Sequence, residues 1–295
     1  MSTETTDPVF LEFAKRLQEG MTQVAKHSAV PLPDGLVPMR DILPEGQSGD
    51  VSLVHYDVTE LGAAVHNLRH AQNGSPQMCI TPGRYVSLHV GGELMMSDAP
   101  YEAQSNRDLI EGARGKVLIA GLGMGMVLVP ILRNPKVTVV TVVEKSKHVI
   151  KLVKEPLLKN GPFTENEKMK LVVVQGDINN FSPKANSYDF IYFDIWPTIS
   201  SKNLPEIDSL KRRFKKSLRK DGEMKVWVED LIRERKKDEE SLSSNLKEWH
   251  AYIKAAKSPE ERAARKQEVS AMLVHKYPAA VSEALNRRDT KRAKT

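Results

Sequence analysis

Val117-Leu118-Ile119-Ala120-Gly121-Leu122-Gly123-Met124-Gly125-Met126 is an apolar strand that runs straight into alternating glycines and then into an apolar helix. Glycine serves such a turn in two ways: it tolerates a positive φ, and its missing Cβ lets the backbone approach a ligand. Glycines also close ordinary strand-to-helix turns, so the loop alone leaves a nucleotide site and a packing turn both open. Its spacing is more informative. A dinucleotide fingerprint wants glycine or alanine at the sixth position, and Met126 stands there, where its side chain would crowd helix against strand.

The chain downstream reads as alternating helices and strands. Val127 to Leu132 is apolar enough for a crossover helix, Asn134-Pro135 ends it, and Val137 to Val143 is the continuous β-branched run of a buried parallel strand. That run stops at Glu144, about 20 residues past the glycines, where a carboxylate is placed to accept hydrogen bonds from ribose hydroxyls. The bland alternative is a solvated charge that ends a strand. A third strand, Lys170 to Gln175, leads into Gly176-Asp177, and a fourth, Tyr188 to Phe193, leads into Asp194-Ile195-Trp196-Pro197. In an open parallel sheet these four ends share one edge, where doubly wound folds bind ligands.

This ordered set resembles the class I S-adenosylmethionine-dependent methyltransferases over residues 115–228. The resemblance implies an α/β, Rossmann-like fold with a mostly parallel sheet and helices on both faces. It matches Gly121, Gly123 and Gly125 to the first cofactor motif, Glu144 to the ribose-binding acid, Gly176-Asp177 to the adenine-binding pair and Asp194 to the active-site strand. Within the superfamily the chain is similar to the spermidine and spermine synthase branch. The first glycine is preceded by Val-Leu-Ile-Ala without an acid, and Tyr85 to Met96 alternates as a hairpin around Gly91-Gly92 before Ser97-Asp98-Ala99-Pro100-Tyr101-Glu102. Tyr188 to Asp194 resembles the strand that delivers the catalytic aspartate of those synthases.

The chain also departs from that branch. Ile195, Trp196 and Pro197 stand where a second aspartate would hold a polyamine, Met124 stands at an acid that meets the cofactor's amino group, Ser97-Asp98 replaces an Asp-Glu pair, and Ala103 falls at a glutamate. Three classes of function follow. One is S-adenosylmethionine-dependent transfer, as methyl transfer, to a small-molecule acceptor. Another is aminopropyl transfer from decarboxylated S-adenosylmethionine to make a polyamine. The third is a non-catalytic relative used for binding or assembly. In the catalytic readings Asp194 is the candidate base, and Tyr101 and Trp196 are candidate walls for a sulfonium or ammonium, worth on the order of 0.5–2 kcal/mol each by cation–π attraction, with ordinary packing as the alternative.

The organisation expected is an N-terminal helix and linker (1–45), a small β region (46–105), the Rossmann-like domain (106–230) and a charged helical extension with a basic tail (231–295). Asp7-Pro8 caps apolar positions at helical spacing, and Pro31, Pro33, Pro38 and Pro44 mark an extended connection. Lys225 to Val228 is a plausible fifth strand, followed by helices over Leu231–Lys237, Glu240–Lys254 and Glu260–His275; no sixth or seventh strand is visible. Cys79 is the one cysteine, so an internal disulfide and multi-cysteine zinc sites are excluded, and no metal is expected. There is no signal segment or apolar run of about 20 residues, so a cytoplasmic, membrane-free protein is expected, with a homodimer possible through the β region. The net charge of +6 and the tail from Arg287 to Lys294 invite nucleic acid, but charge runs without interleaved aromatics are more often solvated ends.

Overall fold

The computed structural model describes residues 33–72 and 78–277. The helix expected after Asp7-Pro8 and the basic tail lie outside the described residues. Strands β1 (Gly46–Ser48), β2 (Val51–Val58), β3 (Gly83–Val90) and β4 (Glu93–Ser97) form an antiparallel sheet in chain order. The β3–β4 hairpin turns at Gly91 and Gly92, whose φ values of 60° and 82° are the two left-handed positions of a type I′ turn. Helix α1 (Glu60–Gln72) interrupts this region, where the sequence suggested strands only. Thr59 starts it by accepting the Gly62 N–H at 3.0 Å, and Ala63 buries against Ile80 and Tyr85.

After α2 (Pro100–Ser105) and α3 (Arg107–Gly112), the chain builds the larger sheet. Its strands are β5 (Gly115–Ala120), β6 (Val137–Glu144), β7 (Leu171–Gln175), β8 (Tyr188–Phe193) and β9 (Leu218–Val226). They are all parallel, in the order β7-β6-β5-β8-β9. The connecting helices are α4 (Leu128–Arg133), α5 (Lys147–Asn160), the short α6 (Glu165–Lys168) and α7 (Leu204–Phe214).

Alternation along the strands divides the core. Val117, Ile119, Val140, Val142, Phe190 and Tyr192 pack toward α4, α5 and the small sheet, whereas Leu118, Ala120, Val143, Ile191 and Phe193 pack toward α7. Both faces are covered, which is why these strands read as unbroken apolar runs. Helix α7 contributes Leu204, Ile207, Leu210 and Phe214 at helical spacing, each buried apolar side chain worth about 1.5–3 kcal/mol.

Two boundaries differ from the sequence reading. Strand β9 starts at Leu218 and ends at Val226, because its first half, Arg219-Lys220-Asp221-Gly222, is a polar edge segment without a periodic signal. The first two helices of the extension are one, α8 (Glu229–Lys254), followed by α9 (Pro259–Lys276). Nothing between Lys237 and Glu240 breaks a helix, and Lys236 pairs with Glu240 one turn on. Among the described residues no helix is long and apolar enough to cross a membrane.

Candidate functional site

The chain after β5 turns left, and the chain after β8 turns right, so the carboxyl ends of these adjacent strands open a crevice. Gly121, Gly123 and Gly125 have φ values of 96°, 50° and 70°, conformations that L side chains rarely adopt. Space also forbids a side chain at Gly121, where the clash is with backbone, and at Gly123 and Gly125 a neighbouring side chain would have to shift. A Cβ on Gly121 would lie 2.1 Å from the Asp194 carbonyl, one on Gly123 2.6 Å from Met96 Sδ, and one on Gly125 2.8 Å from Leu157 of α5. The glycines thus bring β5 against the start of the Asp194 loop, seat the β4 methionine on the turn and dock α5.

Glu144 holds this turn. Its Oε2 accepts the Leu122 N–H at 2.8 Å and its Oε1 accepts the Ser146 N–H at 2.7 Å. A carboxylate has about four lone-pair sites, so each oxygen keeps one for a further donor, as two ribose hydroxyls would require. The N–H groups of Gly123 and Met124 donate to no described residue. Beside Glu144, Lys145 pairs with Asp177 at 3.2 Å, and Asp177 also accepts the Asn179 N–H at 2.8 Å. The Asn179 hydrogen bond first and Lys145 second hold the Asp177 carboxyl below its ordinary value.

These groups line one cleft of about 410 Å³. Its outer end carries Lys145, Asp177, Asn179, Trp196 and Glu206; its inner end carries Glu102, Asn106, Tyr192, Asp194 and Trp227, and Leu88, Met95 and Met96 wall it from the small sheet. Trp196 is buried at the outer end, its indole N–H donating to Glu206 at 2.8 Å, and the same carboxylate accepts Asn179 Nδ2 at 2.9 Å. Trp227 donates to Ser105 Oγ at 2.9 Å. It is followed by Val228 at φ 44°, a left-handed conformation that costs a β-branched residue on the order of 1–3 kcal/mol and here sends the chain from β9 into α8.

Strand order, positive-φ glycine turn and strand-end acid together decide the architecture. The fold is of the class I methyltransferase type. No protein-family model matches the chain, and no curated protein matches it. Among solved structures, spermidine synthase from Thermotoga maritima is similar at 16% identity, over 62% of this chain and 55% of that one, with a TM-score of 0.38. The YcgJ protein of Bacillus subtilis matches at 18% identity over 41% of this chain and 48% of that one, with a TM-score of 0.32. Phosphoethanolamine N-methyltransferase 1 of Haemonchus contortus matches at 15% identity over 42% of this chain and 25% of that one, with a TM-score of 0.33. The chain thus spans about half the length of the first two and a quarter of the third.

The sequence-expected residues Gly121, Gly123, Gly125, Glu144, Asp177 and Asp194 all line this cleft. Tyr101 does not; the neighbouring Glu102 does. Glu102, Asn106 and Leu109 recur at i, i+4 and i+7 through α2 and α3 and all three line the cleft, so Tyr101 is turned away from that face. Its hydroxyl is raised by burial and by the Glu102 charge, and Arg235 of α8 opposes the rise. Met124, read as a replacement for a cofactor-contacting acid, is fully buried in the core and lines no part of the cleft. Asp98, read as half of a replaced acidic pair, is structural: it accepts the Met39 and Val86 N–H groups at 3.0 and 2.8 Å.

Burial pushes the Asp194 carboxyl up to about 7, and burial together with the Asp194 charge pushes Glu102 up to about 8. A carboxyl raised on folding binds more protons in the folded than in the unfolded chain between the two values, so stability falls as pH rises. Urea denaturation is therefore expected to give lower stability at pH 8.5 than at pH 5.5, and Glu102→Gln is expected to flatten that decline. Equal dependence in wild type and variant would contradict the assignment.

Proposed function

We propose that this chain is an S-adenosylmethionine-dependent transferase that methylates a small amine. The observation that carries the reading is the continuous cleft in which a strand-end acid with free lone pairs, a positive-φ glycine turn and partly buried Asp194 follow one another. Glu144 would hold the ribose, Asp177 the base and the glycine turn the amino-acid tail, whose carboxylate could meet the free N–H group of Gly123. The donor, when bound, supplies an electrophilic carbon on a sulfonium leaving group. The chain has then to align the acceptor nitrogen with that carbon and remove its proton. Asp194 is the base in this reading. An amine fits because the cleft lining carries five carboxylates, Glu102, Glu144, Asp177, Asp194 and Glu206, against one Lys145.

The same surplus of acid favours a second reading, aminopropyl transfer from decarboxylated S-adenosylmethionine. No arginine or lysine lines the inner end to receive a donor carboxylate. Ile195-Trp196-Pro197 in place of a second aspartate speaks against a diamine acceptor and keeps methyl transfer first. Parallel calorimetric titrations with S-adenosylmethionine, its decarboxylated form and S-adenosylhomocysteine separate the two. Tighter binding of the carboxylated pair is expected. Preference for the decarboxylated donor would replace methyl by aminopropyl transfer, and binding of none at millimolar concentration would leave a non-catalytic relative.

A further inference from the structure

Glu102 was not among the residues singled out from the sequence, and its place in the structure is unusual. Its carboxyl and that of Asp194 both line the inner cleft, and neither accepts a hydrogen bond from a described residue. The polar groups around them are engaged elsewhere. Tyr192 donates its hydroxyl to Asn106 Oδ1 at 3.1 Å, Trp227 donates to Ser105, and Ser105 Oγ and Asn106 Nδ2 donate to the Glu102 carbonyl at 3.0 and 2.9 Å. This lattice of β8, α2, α3 and the end of β9 clamps the Glu102 backbone while leaving its carboxyl unpaired.

Both residues are partly buried, and unpaired carboxyls drawn out of water are costly, the more so when one feels the charge of the other. The lysine of the cleft lining, Lys145, is tied to Asp177 at the outer end. The titratable groups that feel the charge of the pair are Tyr56 of β2, Tyr101 of α2 and Tyr192 of β8, with Arg235 of α8 acting one step further out on Tyr101 and Asp108 of α3 on Tyr192; none of these forms an ion pair with either acid. A packing role would be served as well by glutamine or leucine at position 102. A cation entering the cleft relieves the strain that such residues would not create.

We propose that Glu102 is a second catalytic carboxyl, acting with Asp194 as one proton-sharing pair that binds the acceptor ammonium and takes its proton. This rests on the reading of the acceptor as an amine. The proton passes from the ammonium nitrogen to the ionised member of the pair. The freed lone pair then forms the new C–N bond while the C–S electrons leave with sulfur, giving a secondary ammonium and a thioether. The proton held by the pair returns to solvent with the product. Two carboxyls that line one cleft and feel each other's charge give up their protons in separate steps, as coupled acids do, so between those steps the pair offers one base and one hydrogen-bond donor.

The test uses the full chain with carbon-13 in its aspartate and glutamate carboxyls, titrated with pH by NMR in wild type, D194N and E102Q. Wild type should show two coupled steps above the ordinary carboxylate range, and D194N should move the Glu102 step to lower pH. A titration with n-butylamine, with and without S-adenosylhomocysteine, should perturb both carboxyls, and E102Q should weaken amine binding at least about tenfold while leaving S-adenosylhomocysteine affinity within twofold. A Glu102 step unmoved by D194N, or an E102Q variant that binds n-butylamine as wild type does, overturns the proposal. Failure of S-adenosylhomocysteine to bind would count against the donor reading alone, because the pH titration of the pair needs no ligand.

Discussion

Asp194→Asn is expected to lower turnover by about 10²–10⁴-fold, the usual contribution of a positioned general base. Asparagine keeps the shape of the side chain and the Asp194 N–H to Ala120 carbonyl contact at 3.0 Å, so the strand end stays in place and only the proton acceptor is lost. Affinity for S-adenosylhomocysteine should change by no more than about threefold, because the nucleoside reading places its contacts on Glu144 and Asp177. The pH dependence is part of the same expectation. With Asp194 raised to about 7 and Glu102 to about 8, the wild-type rate should climb as pH rises through the first step, where the base ionises, and stop climbing at the second, where the pair loses its remaining proton. A radiolabelled methyl-transfer assay over a panel of primary amines between pH 6 and 9 measures both. A full rate in the asparagine variant would remove Asp194 from the chemistry.

Glu144→Ala carries the second large effect. In the proposed reading the glutamate takes two ribose hydroxyls, and hydrogen bonds to a charged group are worth about 1.5–3 kcal/mol each, so the loss in nucleoside affinity should be at least about 10²-fold. Part of that loss comes through the protein, because the Leu122 and Ser146 N–H groups also rest on this carboxylate. Glu144→Gln separates the contributions. Its amide oxygen can keep one backbone contact, so the turn survives while acceptance from both hydroxyls does not. Calorimetry with S-adenosylhomocysteine should place glutamine between wild type and alanine. Equal affinity in all three would show that ribose does not sit on this residue.

Much of the sheet was legible because both of its faces are buried. Val137 to Val143 and Tyr188 to Phe193 have no polar alternation to confuse them, and their ends at Glu144 and Asp194 announce themselves as charges after apolar runs. Strand β9 was legible only in its last residues, since its first half is exposed and reads as loop. Helix α1 escaped because Glu60 to Gln72 carries a weak apolar stripe with Leu61 and Val65 exposed. The residues singled out at strand ends, where the period is fixed by the sheet, all line one cleft, whereas the residue singled out on α2 does not. There Tyr101 drew attention as an aromatic beside a resemblance, whereas the helical spacing Glu102, Asn106 and Leu109 marked the face that meets the cleft. Trp227 and Glu206 come from distant segments and had no local pattern; tertiary packing alone brings them to the site. Met124 lies at the reverse extreme, a residue in the middle of the glycine turn whose side chain belongs to the core.

The most direct test of the central claim is a crystal structure of the chain with S-adenosylhomocysteine. The expected result is the nucleoside in the cleft between the glycine turn and Trp196, with both ribose hydroxyls within hydrogen-bond distance of the Glu144 carboxylate and the thioether sulfur facing Asp194 and Glu102. A ligand bound elsewhere, or a cleft left empty at millimolar concentration, would contradict it.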